Sequence, residues 1–113
     1  MDLTPAADDR HKLIVLHKKS GRIELVTESE ETAWKLRNLL LNRYRFRRFG
    51  LRVLIMPDDA ILPSFIRWHL WIRCGWLDWY GFHFRSANRW TDRFLLELAR
   101  EHFPEAAHKE ASA

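Results

Sequence analysis

The chain has 113 residues, which is enough for one hydrophobic core and too few for two ordinary domains. Hydrophobic residues make up 47% and charged residues 30%, a balance that is typical of a globular chain and excludes a disordered one. Nineteen Lys and Arg against fifteen Asp and Glu give a formal net charge of +4, and this excess favours a polyanionic partner.

The sequence argues against secretion and against a membrane span. Residues 1–10 are polar and acidic, with no apolar segment of the kind that a signal peptide needs. The most apolar stretch, residues 61–84, is interrupted by Arg67, Arg73 and Asp78, and charges at a helix centre are costly in a bilayer. We therefore expect a cytoplasmic protein that does not associate with membranes.

Both ends of the chain have the composition of tails. Residues 1–10 and 105–113 are rich in Ala, Ser, Asp, Glu and Pro and lack an apolar period, so we predict that both are disordered. Between them, residues 11–104 contain no repeat or linker and are predicted to form a single domain. The one cysteine, Cys74, excludes an intramolecular disulfide, so the core must supply the stability.

The first half of the domain predicts a β-hairpin followed by a helix. Apolar residues run together in residues 12–17 and alternate with polar ones in residues 22–27, and Gly21 suits the turn between them. Thr27 fits the first position of a capping box, so we predict that the helix begins there. Gly50 is predicted to end the helix after an arginine-rich last turn.

The middle of the chain predicts two more strands. Residues 51–56 are apolar enough for a third strand, residues 57–59 form a predicted turn, and residues 60–64 a loop or a short helical turn. Alternation of apolar and polar residues over residues 66–73 predicts a fourth strand, because no polar face forms at helical spacing. Residues 74–78 are predicted to turn.

The alternation resumes over residues 79–85, which predicts a fifth strand paired with the fourth. Ser86 suits the cap of a second helix that ends before Pro104. The apolar stripe of this helix comprises Trp90, Phe94, Leu95 and Leu98. The order β-β-α-β-β-β-α predicts a two-layer α+β domain in which two helices cover one face of a mainly antiparallel sheet. If the first or fifth strand is an edge, it could support a homodimer.

The outward face of the fourth and fifth strands is the first candidate site. Arginine binds phosphate through paired hydrogen bonds, and a Trp ring offers a stacking platform for an unpaired base. The face therefore predicts binding of single-stranded nucleic acid, the alternative being a polar face that is merely solvated. It comprises Arg67, His69, Trp71, Arg73, His83 and Arg85, with Arg22, Glu24 and Arg52 beside it.

A second basic segment interleaves arginines with aromatic residues. It would add phosphate contacts, which bring affinity and salt dependence without sequence specificity. The alternative is that Tyr44, Phe46 and Phe49 are core residues while the arginines complement the negative end of a helix. The arginines concerned are Arg43, Arg45, Arg47, Arg48 and Arg52.

Groups that could carry catalysis are sparse. His69, His83 and Glu24, with arginines beside them, are candidates for RNA cleavage, which needs a base, an acid and a cation at the phosphate. No metal, nucleotide or serine-hydrolase motif occurs, so no metal or cofactor is expected. Cys74 has no base tied to it by the sequence and is not expected to be a nucleophile.

A Trp-rich segment at the tip of the predicted hairpin of the last two strands is a candidate for binding a protein, because Trp, Tyr and Arg dominate protein-binding hot spots. The alternative is a small core packed against the last helix. The residues are Trp76, Leu77, Trp79 and Tyr80.

Together these patterns favour a small, basic, non-enzymatic binding protein that holds nucleic acid, single-stranded rather than double-stranded. The first alternative is an accessory factor or inhibitor, of mobile-element or phage type, that binds a larger nucleic-acid-handling protein complex. The second alternative is a small endoribonuclease.

Overall fold

One mostly antiparallel sheet and two helices make up the protein in a computed structural model, which describes residues 13–50, 54–55, 59–77 and 81–111. The strands are β1 (Ile14–His17), β2 (Ile23–Thr27), β3 (Arg47–Phe49), β4 (Leu54–Ile55), β5 (Asp59–Arg67), β6 (Leu70–Leu77), β7 (Gly81–Ser86) and β8 (Ala107–Glu110). The helices are α1 (Glu30–Asn38), continued by a π-helical stretch (Leu39–Arg43), and α2 (Arg89–His102). The predicted α+β class with two helices is confirmed.

The strands lie in the order β3-β5-β6-β7-β2-β1-β8, and β4 also pairs with β5. Every pairing is antiparallel except that of β1 with β8. The edges described are therefore β8 on one side and β3 with β4 on the other. The first and fifth predicted strands, now β1 and β7, are interior, so neither supplies a dimerisation edge. The sequence predicted a disordered tail for residues 105–113, yet residues 107–110 form β8.

The β1–β2 hairpin is as predicted, and Gly21 at its turn has a φ of 92°. Helix α1 begins later than predicted, because Ser29 is its N-cap and accepts a hydrogen bond of 3.1 Å from the Thr32 N–H. Thr27 is instead the last residue of β2. The prediction that Gly50 ends this helix was wrong, because Arg45 adopts a positive φ of 63° and the chain then forms β3.

The region between α1 and α2 differs most from prediction. Residues 60–64 are part of β5 and residues 74–77 are part of β6, so the predicted loop and turn there were wrong. The predicted strand at 66–73 is the end of β5, a two-residue turn and the start of β6. The loop was predicted because proline is rare within strands. Pro63 lies where the β5–β6 register shifts, a position at which a missing N–H is tolerated.

Two further predictions in this region fall partly beyond the described residues. Of the predicted third strand at 51–56, only residues 54–55 are described, and they form β4. Of the predicted turn at 57–59, only Asp59 is described, and it begins β5.

The core lies between the sheet and both helices, which confirms that the helices share one face. Helix α1 contributes Leu36 and Leu40 and helix α2 contributes Leu95 and Leu98, all buried in one cluster with the inward side chains of the strands. Those inward side chains include Val15, Leu25, Phe65, Ile72, Cys74 and Phe84. A buried carboxylate also ties the layers together, because Asp92 of α2 accepts a 2.9 Å hydrogen bond from the Ile23 N–H of β2.

We predict that Gly81→Ala costs clearly more stability than Gly21→Ala. Both glycines have positive φ, 90° and 92°, so alanine should lose about 1–2 kcal/mol at either position from backbone strain. A Cβ on Gly81 would also collide with the Thr27 carbonyl oxygen, whereas a Cβ on Gly21 meets nothing within 4 Å. Urea denaturation measures both losses, and equal losses would contradict the close packing of β7 on β2.

Candidate nucleic-acid interface

The sheet face opposite the helices presents aromatic and cationic side chains. Phe65 and Ile72 are a cross-strand pair that points into the core, so the neighbouring pair, Ile66 and Trp71, points outward. Arg47 of β3 opposes Ile66 and shares this outward face. The structure thus supports the predicted position of Trp71, which is 37% exposed.

Trp71 forms the centre of a small exposed cluster. The ring of Phe49, which is 58% exposed, lies 6.2 Å from the Trp71 ring at an interplanar angle of 81°. The guanidinium carbon of Arg73 lies 5.5 Å from the centre of the Trp71 ring. We call Arg47, Phe49, Trp71, Arg73 and Arg85 the open-face patch. Such a patch offers a flat ring for stacking and guanidinium groups for phosphate oxygens.

The patch continues across the sheet through residues in register. Arg73 of β6 opposes Arg85 of β7, and Arg85 opposes Glu24 of β2. Adjacent strands are about 4.8 Å apart, so the backbone of Glu24 lies roughly 10 Å from that of Arg73. Three of the predicted residues, Arg73, Arg85 and Glu24, are therefore neighbours on one face.

Glu24 is buried, whereas the sequence predicted that it would lie beside the outward, solvated face. It is only 1% exposed, with Lys18 Nζ 2.9 Å from Oε1 and Arg85 Nε 3.4 Å from Oε2. The Nδ1 atom of His83 lies 3.8 Å from Oε2. The carboxylate is thus covered by the very cations that neutralise it, which is how a buried charge is tolerated.

His83 is also nearly buried, at 9% exposure, because β6 leaves room for its ring. It opposes Gly75, and a Cβ on Gly75 would lie 2.7 Å from the His83 Cε1 atom. The glycine that suggested a turn in the sequence therefore serves strand packing. Arg22 leaves the predicted face too, since its guanidinium bonds Asp92 of α2 at 2.9 Å.

Arg67 and His69 do not lie beside Trp71, contrary to prediction. Because a two-residue turn separates β5 from β6, Arg67 opposes Leu70, which packs toward the core. His69 lies in the turn, and its ring contacts that of Trp90 at 5.5 Å. A single continuous strand would have aligned these residues; the hairpin separates them.

The turn itself carries a second aromatic cluster. Trp68 is 81% exposed, has a positive φ of 55°, and is covered by the Arg67 guanidinium at 4.7 Å. Trp90 was predicted in the core stripe of α2, but it is 50% exposed with Arg89 4.9 Å above its ring. We call Arg67, Trp68, His69, Arg89 and Trp90 the hairpin tip.

The arginine-rich segment is divided rather than continuous. Arg43 lies on the helical layer, where its guanidinium is 3.7 Å from a Glu101 carboxylate oxygen. Arg48 points inward, donates to the Pro63 carbonyl oxygen at 2.9 Å and covers the Phe65 ring. Burial lowers the pKa of Arg48 from its ordinary value. It does not belong to a phosphate-contacting surface, so that prediction was wrong for Arg48.

Of the remaining arginines in that segment, Arg47 joins the open-face patch and Arg45 is exposed in the turn before β3. Arg52 lies outside the described residues. The aromatic residues divide as well. Phe46 is buried and contacts Phe94, whereas Phe49 points outward, although the alternative interpretation placed it in the core.

The predicted catalytic set assembles only in part. His83 and Arg85 lie against Glu24, at 3.8 and 3.4 Å, but His69 does not join them. His69 is in the β5–β6 turn and His83 opposes Gly75, six residues along β6, which corresponds to roughly 20 Å. The two histidines are therefore too far apart to act as base and acid on one phosphate. Cys74 lies in β6, not in a turn, and burial raises its pKa to about 11, so it is a neutral core thiol.

Half of the predicted protein-binding cluster is described, and it lies at the end of β6, where Leu77 opposes Gly81, the first residue of β7. Trp76 and Leu77 are half-buried within β6, where Trp76 opposes Phe82. Trp79 and Tyr80 lie outside the described residues.

Among the residues described, no group of three or more His, Cys, Asp or Glu side chains could hold a metal ion. Neither described helix is long and apolar enough to cross a membrane. No protein-family model, curated protein or solved structure matches the chain.

We predict that Trp68→Gly and Arg45→Gly each leave the protein as stable as before or more stable by up to about 1 kcal/mol. Both residues have positive φ, which costs an L-residue about 1–2 kcal/mol, while glycine adds about 0.5–1 kcal/mol of unfolded-state entropy. Urea denaturation measures the change. A loss above about 2 kcal/mol at Trp68 would show instead that its indole contributes to packing.

Proposed function

We propose that the protein binds single-stranded nucleic acid through the open-face patch and does not cleave it. The observation that supports this is the exposed ring of Trp71, bordered by Phe49 and crossed by Arg73. A stacked base contributes about 1–3 kcal/mol, and unpaired bases alone present a free face to such a ring.

The cations of the patch suit a nucleic-acid backbone. Arg73 and Arg85 oppose each other on adjacent strands, and Arg47 lies on the same face beyond Trp71. They place positive charge on both sides of the stacking platform. Contacts of this kind give affinity that falls steeply with salt and depends little on sequence.

A protein partner is the second candidate, and the hairpin tip is the observation that favours it. Trp68 projects from the turn at 81% exposure in a backbone conformation that a bulky residue rarely adopts. Strain of this kind is typical of functional positions, and an exposed Trp beside Arg has the composition of a hot spot. The tip would then engage a larger nucleic-acid-handling protein complex while the open face holds the strand.

The two surfaces can be separated by mutation. We predict that Trp71→Leu weakens binding of a labelled single-stranded oligonucleotide about tenfold or more, because a stacked base is lost. The matched control is Trp34→Leu on α1, since Trp34 is likewise an exposed Trp, at 51% against 37% for Trp71, and also lies under an arginine, Arg37, at 4.7 Å. Fluorescence anisotropy measures both affinities. An equal effect of the two substitutions would exclude the open face.

We predict that Arg47→Gln combined with Arg73→Gln flattens the salt dependence of the affinity. Each phosphate contact to a single strand contributes about 0.7 to the slope of log K against log salt, so the slope should fall by about 1.4. The control is Arg93→Gln with Arg100→Gln, two exposed arginines of α2 that change net charge equally on the opposite layer. If the control pair lowers the slope of log K against log salt as much, the affinity depends on net charge and not on the open-face patch.

A further inference from the structure

A pocket of about 150 Å³ lies at the start of β2, beside the β1–β2 turn and next to Arg85 of the open-face patch. Its lining includes the cations Lys18, Arg22 and Arg85, the hydroxyl of Ser20 and the buried carboxylate of Glu24. A space of this size admits several water molecules, and therefore also a group as large as a phosphate.

The charges around the pocket leave it cationic. Lys18 and Arg85 bond Glu24, at 2.9 and 3.4 Å, and Arg22 bonds Asp92 at 2.9 Å. Three positive groups thus face two carboxylates, which leaves an excess of one positive charge before His83 is considered. Lys18 is 29% exposed on a flexible side chain, so its ammonium group can turn toward an anion in the pocket.

A bare phosphate satisfies only part of this site. It would pair with the cations but would face the Glu24 carboxylate, which can only accept hydrogen bonds. A ligand that fits both features carries an anionic group and, close to it, a hydrogen-bond donor. A ribonucleotide has this combination, because its 2′-hydroxyl adjoins the 3′-phosphate, and that hydroxyl is what distinguishes RNA from DNA.

The pocket also lies on the path that a nucleic-acid strand bound to the open-face patch would follow. Trp71 is two residues from Arg73 on β6, and Arg73, Arg85 and Glu24 follow one another across three adjacent strands. A nucleic-acid strand with one base stacked on Trp71 can therefore extend its sugar-phosphate backbone over Arg73 and Arg85 to Glu24.

We propose that this pocket receives the ribose and phosphate of a ribonucleotide, with Glu24 accepting a hydrogen bond from the 2′-hydroxyl. The inference depends on the proposed function and adds to it a substrate class, RNA in preference to DNA. When the ribonucleotide binds, its 2′-hydroxyl replaces the Lys18 ammonium group at Oε1 of Glu24. The ammonium group then moves to the phosphate.

The test compares three labelled single strands of one sequence: RNA, DNA and 2′-O-methyl RNA, whose ether oxygen cannot donate. We expect the wild type to bind RNA about tenfold more tightly than either analogue, the effect of one hydrogen bond to a charged acceptor. This comparison needs no substitution, so it tests recognition of the 2′-hydroxyl even if a variant at position 24 fails to fold.

Glu24→Gln should reduce the RNA-to-DNA affinity ratio severalfold, because the acceptor loses its charge. Glu97→Gln, which removes an exposed acid of α2, is the control and should leave the ratio unchanged. Comparing ratios cancels the general gain in affinity that follows from removing any negative charge.

Three results would overturn the inference. RNA, DNA and 2′-O-methyl RNA bound equally, with all three weakened by Trp71→Leu, would leave the proposed function standing without the ribose contact. An RNA preference that survives Glu24→Gln in a folded protein would place discrimination elsewhere. Binding of none of the three would remove the proposed function and the inference together.

Discussion

The two-residue turn at Trp68 and His69 decides which side chains of the central sheet face solvent. It sets the β5–β6 register, in which Ile66 opposes Trp71 and Phe65 opposes Ile72. A shift by one residue would reverse every side chain of these strands. The same register therefore forms both the core and the candidate site. Because side chains alternate along β6, it buries Ile72 and Cys74 and exposes Trp71 and Arg73.

The burial of Glu24 is the second constraint on the open face. A carboxylate that is 1% exposed needs the surrounding cations, and in many proteins an apolar residue of similar size serves stability equally well. Its place in the same cross-strand row as Arg73 and Arg85 links the stability of β2 to the charge of the surface. The ion-pair network thus holds two of its cations, Lys18 and Arg85, at the edge of the pocket.

Local patterns predicted the elements whose contacts are local. The β1–β2 hairpin followed from alternation and from Gly21, and the apolar spacing of both helices was sufficient to place them on one core. The β5–β6 hairpin was missed because its turn contains Trp68 where a glycine or asparagine would normally mark positive φ. Alternation then ran on through the turn and assigned Arg67 and His69 to the wrong face.

The other misses have non-local causes. Strand β8 contains Ala, Lys and Glu, which have low strand propensity, and it forms only because β1, some ninety residues earlier in the chain, offers it a parallel partner. In the candidate site, the sequence identified Trp71, Arg73 and Arg85 correctly as one surface. It missed Phe49, Lys18 and the exposure of Trp90, because tertiary packing alone brings the first two to the site and turns the third outward.

One titration decides whether the open-face patch binds unpaired nucleic acid. Labelled single- and double-stranded oligonucleotides are titrated with the wild-type protein at a low and a high salt concentration, with fluorescence anisotropy as the readout. The structure predicts tighter binding of single strands than of duplexes and a steep loss of affinity as salt rises. No binding at low salt, or equal binding of duplex and single strand, would contradict it.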